Sequence, residues 1–290
     1  MIIEEIISKL FLGVFNGVAW GLIIALIALG LSLILGIMEI VNFAHGELFM
    51  IGGVITVYIV VFSNLSFWLA CVVAPLVVAA LGMALERTVL RPVEGAPERT
   101  IIATLGLSFI LMQTVLLIYG GSAYNVPSPI SGVFKLPLIA YSKYRLVAAI
   151  MSILCLLFVL AILYKTKLGL WIRASQQHLE MAQALGINVK YVNMMAFALG
   201  SGVAALAGVI ASPIIAMEWI VGIDALLLAF IVVLVGGLGS IKGTFVAGII
   251  IGIVESTAGI LLSPTFARAI SLSILIAILA LRPRGLFGVW

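Results

Sequence analysis

The chain has 290 residues, of which 64% are hydrophobic and only 9% charged, with a formal net charge of +4. Soluble domains run at roughly 45–50% and 25%, so the composition excludes a soluble enzyme or binding module and specifies an integral membrane protein. The fifteen Lys and Arg fall in a few short loops rather than on one extended basic surface, so the positive charge reports topology and not a nucleic-acid partner.

The first residues, MIIEEIISKL, lack the positive start of a secretory signal, and no small-residue cleavage site follows, so the segment is expected to be retained. Ile2, Ile3, Ile6, Ile7 and Leu10 share one helical face with Glu4, Glu5 and Ser8 opposite, which predicts a short helix lying in the membrane interface. A span needs about 20 apolar residues for a hydrocarbon core of about 30 Å. Residues 11–38 exceed that and carry Gly13, Gly17, Gly21, Gly30 and Gly36, which leaves open one long tilted helix or a re-entrant turn followed by a helix. Further segments are expected at 47–62, 66–85, 101–119, 146–164, 191–212, 224–241, 243–262 and 268–281. The whole is an all-α polytopic transmembrane bundle of eight to ten segments, some broken or re-entrant, forming one membrane domain over 1–290.

Between the first two segments, residues 40–53 read IVNFAHGELFMIGG. Asn42, His45 and Glu47 lie among segments apolar enough to cross a bilayer, where such groups are costly unless they face a partner, a cavity or water. Two readings stand: a break in a membrane helix that helps line a passage for a small polar solute, or a short surface loop with solvated side chains. Cys71 and Cys155 sit inside apolar runs and read as small packing residues rather than a disulfide or metal pair.

Nine of the fifteen cations occupy three connections: Arg87, Arg91 and Arg99; Lys165, Lys167, Arg173 and Lys190; Arg282 and Arg284. The positive-inside tendency assigns these to the cytoplasm, and the even number of segments between them agrees. The Pro- and Ser-rich loop at 120–145 then faces outward, although Lys135, Lys143 and Arg145 run against the tendency.

The connection at 168–188 is too long and regular for a simple turn. Glu180, Ala182 and Gly186 follow the spacing E-x-A-x-x-x-G, with Gly186 placed to end a helix in a left-handed cap. It reads as a surface helix, either plain or a docking knob for a soluble partner. The run GGLGSIKG from Gly236 lacks the adjacent Gly-Lys followed by Ser or Thr, and the preceding strand, of a phosphate loop, so nucleotide binding is rejected. No zinc-binding H-E-x-x-H and no G-x-S-x-G elbow occurs, which argues against an enzyme. Thr244, Gly248, Gly252 and Ser256, and Gly200, Ala204 and Gly208, form small-residue strips suited to close helix packing. Glu255 beside the first strip must face protein or water, as a hydrogen bond to a neighbouring helix or as part of the pathway; Gln113 is weighed the same way. The turn opening at Asn42 and the one opening at Leu238 also resemble each other, each leading into a glycine-bearing helix, as in a duplicated transporter of parallel or inverted halves.

The strings GLSLILGIMEIVNFAHGEL from Gly30, RPVEGAP from Arg91, RASQQHLEMAQALGIN from Arg173, GGLGSIKGT from Gly236 and RPRGLFG from Arg282 together resemble the LivH-type permease of bacterial branched-chain amino-acid ABC importers. The resemblance spans nearly the whole chain in order. It implies a multi-pass, non-catalytic subunit of the bacterial inner membrane without cofactors, paired with a second, homologous permease, two ABC ATPase subunits and a periplasmic substrate-binding protein. It further implies that Arg173, Glu180, Ala182 and Gly186 belong to the element that seats in the ATPase, although Met181 stands where the family pattern has Ala. The expected cargo is leucine, isoleucine or valine, with urea or short amides as the alternative. Asn42, His45, Glu47 and Glu255 are the expected polar lining of the pathway. A carrier independent of ATPases, coupled to protons through His45 or Glu255, is the rival of a different class.

Overall fold

The computed structural model describes residues 2–38, 41–135 and 140–288; Glu39, Ile40 at the start of the polar stretch and residues 136–139 of the long loop lie outside these. The elements in chain order are α1 (Ile2–Met38), α2 (His45–Val57), α3 (Phe67–Leu85), α4 (Pro97–Tyr119), β1 (Val133–Lys135), β2 (Ala140–Ser142), α5 (Lys143–Lys165), α6 (Lys167–Gln177), α7 (Leu179–Ala184), α8 (Val189–Ala211), α9 (Val221–Gly236), α10 (Ile241–Leu261) and α11 (Pro264–Leu281). Among the described residues eight helices are long and apolar enough to cross a membrane, counting α2 with the π-helical turn that carries it on to Phe62, and α9 is a shorter apolar one.

The first element settles one alternative and corrects one expectation. Residues 2–38 form a single 37-residue helix, so there is no re-entrant turn, and the N-terminal residues continue α1 rather than form a separate interfacial helix. Its glycines serve close approach. A Cβ on Gly17 would meet Ile253 Cα at 2.5 Å, and one on Gly13 would meet Thr257 Cα at 2.9 Å, so α10 lies antiparallel along the first half of α1. Further on, a Cβ on Gly200 would meet the Gly30 carbonyl oxygen at 2.7 Å, placing α8 against the second half. The expected small-residue strips on α8 and α10 therefore pack, where dispersion between touching backbones replaces the missing hydrophobic drive.

The ends of α1 define two faces. Phe15 carbonyl accepts from Tyr141 Oη at 3.1 Å, which puts the β1–β2 hairpin beside its beginning. At its other end a Cβ on Gly36 would meet Gln176 Nε2 of α6 at 2.7 Å and Gly239 Cα at 3.5 Å. The α6 face also holds the three basic connections. Arg91 donates to the Lys190 carbonyl at 3.3 Å, Asn193 donates to Glu94 Oε1 at 2.9 Å, and Leu286 N–H donates to the Val235 carbonyl at 2.8 Å. The sidedness read from the cations thus has a structural counterpart.

Helix starts are written locally. Ser66, Thr166, Asn188, Ser240 and Ser263 cap α3, α6, α8, α10 and α11, each accepting a backbone N–H from the first turn. At the hairpin side Tyr144 of α5, 2% exposed, donates to the Ile210 carbonyl in the last turn of α8 at 2.8 Å. Such carbonyls have no intrahelical partner, so Tyr144→Phe is expected to cost about 1 kcal/mol and to lower the unfolding temperature in detergent by a few degrees. An unchanged transition would mean that the bond contributes nothing.

Two elements are broken. α2 starts beside the middle of α1, where His45 meets the Ile27 carbonyl, about 16 Å short of α1's α6-side end at 1.5 Å per residue. α9 starts against the first turn of α2, where a Cβ on Gly46 would strike the Gly222 carbonyl oxygen, and runs to the α6 face. Each is reached through an irregular segment, residues 41–44 from one face and residues 212–220 from the other. The partner of α2 in an internal repeat is therefore α9, in inverted orientation, and not α10 as the similar turns suggested; α10 starts at the α6 face. The packing pairs α1 with α10 and α3 with α8 repeat the same relation.

Candidate functional site

The meeting of the two broken helices collects the polar residues singled out first. Asn42, His45 and Glu47 are 0%, 0% and 1% exposed, so the solvated surface loop is excluded. Asn42 Oδ1 accepts from Ala44 N–H at 3.1 Å and fixes the turn that opens α2. His45 Nε2 lies 3.0 Å from the Ile27 carbonyl; the oxygen only accepts, so the ring nitrogen there carries the proton. Glu47 Oε1 accepts from Ser108 Oγ of α4 at 3.0 Å, while Oε2 lies against Gly222 of α9. Phe43 packs on Phe230 of α9 with ring centroids 5.9 Å apart, and Thr104 of α4 donates to the Val41 carbonyl at 3.4 Å. One short stretch thereby touches α1, α4 and α9.

α2 and α9 begin without a capping side chain. Their amide-rich ends, each carrying the positive pole of a helix dipole, converge deep in the apolar layer. Asn42 Nδ2, His45 Nδ1 and Glu47 Oε2 are buried with no hydrogen-bond partner. Unsatisfied polar atoms in such a place are costly. The arrangement suits a polar solute that supplies those bonds in passing, once the helices part.

Glu255 does not join this group. It lies on α10 within 3.3 Å of Arg268 Nε on α11, and Arg268 Nη1 reaches Asp224 Oδ1 of α9 at 3.1 Å. Sequence reasoning misses Asp224 and Arg268, because each begins an apolar run and marks the edge of a segment. The structure puts both inside helices, since a charge with opposite partners tolerates a depth that an isolated one does not. The lone charges ahead of those runs were the available signal. Gln113 is exposed on α4.

On the α6 face the connection at 168–188 forms two short helices instead of one, broken at His178, which is extended. Arg173 of α6 lies over the Tyr164 ring at 4.8 Å and donates to the Gly169 carbonyl at 3.4 Å. Ala182 of α7 is 2% exposed, whereas Glu180 is exposed. Gly186 has φ +84, with its own N–H bonded to the Gln183 carbonyl at 2.9 Å and Ile187 N–H to the Ala182 carbonyl at 3.0 Å. This is the left-handed helix stop that the spacing predicted.

Comparison with known proteins matches residues 13–279 to the family described as branched-chain amino acid transport system / permease component. The chain is 32% identical to the high-affinity branched-chain amino acid transport system permease protein LivH of Escherichia coli K12, over 94% of each chain. It is 30% identical to the LivH protein of Salmonella typhimurium and 27% to the BraD permease protein of Pseudomonas aeruginosa, again over 94% of each. Among solved structures, PsaBC from Streptococcus pneumoniae in complex with Fab matches with a TM-score of 0.55 over 95% of this chain and 94% of that one; at 12% identity it shares the fold alone.

Proposed function

The chain belongs to the family of permease components of branched-chain amino-acid transport systems, and on that premise we propose that it forms half of an ATP-driven import pathway for leucine, isoleucine and valine. The observation that carries this reading is the pair of half-helices meeting inside the apolar layer around Asn42, His45 and Glu47. A stable bundle has no need of buried polar ends there; an alternating pathway does.

The second permease packs on the side bearing α4 and α11, whose apolar spans are the least buried together with α3. On this reading one of two cytoplasmic ATPases takes up α6 and α7, a binding protein delivers cargo at the hairpin face, and the subunit lies in a bacterial inner membrane. Rocking α6 presses Gln176 on Gly36, the last glycine of α1, and Gly36 in turn lies against the Gly239 turn between α9 and α10. Both contacts lead to the half-helices. A nucleotide state shifts this equilibrium only through different affinity for the two arrangements, so tight cargo binding inside is not required.

Liposomes containing the chain with its second permease, ATPases and binding protein are expected to accumulate leucine only when ATP and binding protein are both present. Uptake driven by a proton gradient alone would replace the importer by an ion-coupled carrier. Uptake of urea or acetamide in preference to leucine would move the cargo to short amides.

A further inference from the structure

We propose that Asp224, Arg268 and Glu255 form a recognition point for the charged head group of an amino acid along the passage, a reading that rests on the import function above. Asp224 is the fourth residue of α9, about 18 Å from that helix's α6-side end at 1.5 Å per residue. Arg268 and Glu255 lie about 6 Å and 9 Å in from the hairpin-side ends of α11 and α10 by the same rise. All three therefore sit within the apolar layer, Asp224 two residues along α9 from the Gly222 contact with Glu47.

Their exposure is graded. The side chain of Glu255 is 14% exposed, that of Arg268 27% and that of Asp224 66%. A carboxylate that open does not border lipid tails, because the cost of a charge at that depth is several kcal/mol. It borders water, a polar solute or the second permease across the passage. The flanking Ile223 and Leu227, 50% and 37% exposed, give the same strip of α9 an apolar margin suited to an aliphatic side chain.

The chemistry fits a zwitterion. Glu255 holds Arg268 at Nε and is a positioning residue; Nη1 of the planar fork reaches Asp224 Oδ1 at 3.1 Å. A guanidinium fixed along one edge presents parallel donors to a carboxylate. An amino acid entering between Arg268 and Asp224 breaks one ion pair and makes two, its carboxylate on Arg268 and its ammonium on Asp224, so no charge is left unpaired. A neutral amide or urea has no such exchange to offer, and a metal cation is repelled by Arg268.

The test uses the complete importer in liposomes, with radiolabelled leucine uptake and ATP hydrolysis measured in the same vesicles. For Arg268→Gln and Asp224→Asn the leucine moved per ATP hydrolysed is expected to fall about tenfold or more, the size of one lost charged hydrogen bond. Arg268→Lys, which keeps the charge but not the fork, is expected to fall between. Uptake and hydrolysis dropping together at an unchanged ratio would make the cluster a structural clasp and overturn the proposal, as would wild-type ratios in all three. Asp224→Asn, at the most exposed of the three positions, carries the test if Arg268→Gln does not assemble. Wild-type vesicles that move no leucine would instead remove the import reading itself.

Discussion

Replacing Gly46 by valine is expected to prevent the chain from reaching its native state. A Cβ at this position would fall inside the radius of the Gly222 carbonyl oxygen and would lie 2.7 Å from Leu226 Cβ and 2.9 Å from Gly222 carbonyl carbon. Overpacking costs about 1–3 kcal/mol where side chains can yield, but here the obstacle is the backbone of another helix. In the packed arrangement neither helix leaves room for the added side chain. α2 is fixed by His45 on Ile27 and Glu47 on Ser108, and α9 is wedged against α1, α2 and α10. Against a total stability of about 5–15 kcal/mol, loss of this junction is decisive. Gly106 on α4 is the control, since a Cβ there meets no heavy atom within 4 Å. Size-exclusion profiles in detergent should show aggregated Gly46→Val beside monodisperse Gly106→Val. A monodisperse Gly46→Val with the wild-type unfolding temperature would mean that the half-helices do not touch as described.

The same junction shows what the sequence carries and what it does not. Apolar runs located every membrane helix, because the hydrocarbon layer sets length and composition together. They misplaced the ends of α9, expected at 224–241 and found at Val221–Gly236. The turn between α9 and α10 is made of glycines with positive φ at Gly237 and Gly239, apolar by composition and therefore invisible to hydropathy. For α1, glycine content was compatible with a turn or with tight packing, and only the presence of α8 and α10 alongside decides for packing. Asn42, His45 and Glu47 were legible because polar groups in an apolar setting demand partners. Their partners, Ile27, Ser108 and Gly222, are up to 175 positions away in the chain and carry no local signature. The inverted relation of α2 and α9 was hidden for a related reason: the turns at Asn42 and Leu238 look alike because both start helices, while direction through the membrane is a property of the assembled bundle.

The second large effect is expected on the α6 face, where Gly186→Val should cut ATP-dependent leucine uptake tenfold or more while the spans remain folded. α7 has six residues and no side-chain N-cap bond. Helices that short are not stable alone, so its shape depends on its stop. Gly186, at φ +84, closes that stop with two backbone bonds, and a Cβ there meets no atom within 4 Å. The obstacle to substitution is conformational and not steric crowding. A left-handed residue costs about 1–2 kcal/mol for an ordinary side chain, and a β-branched one is a genuine outlier there. Asparagine, which enters this region at lower cost, should restore much of the uptake. Met181 and Leu185, 58% and 76% exposed and four residues apart, form with Glu180 the surface that such a stop holds in place. Glu180→Lys should therefore reproduce the loss without disturbing α7. On the proposed importer reading, in which the ATPase seats on this element, the stimulation of ATP hydrolysis by loaded binding protein should disappear along with uptake in both variants. Stimulation that persists in Glu180→Lys and Gly186→Val would move the ATPase contact elsewhere on the α6 face, with Arg173 and the exposed end of α6 the next place to look.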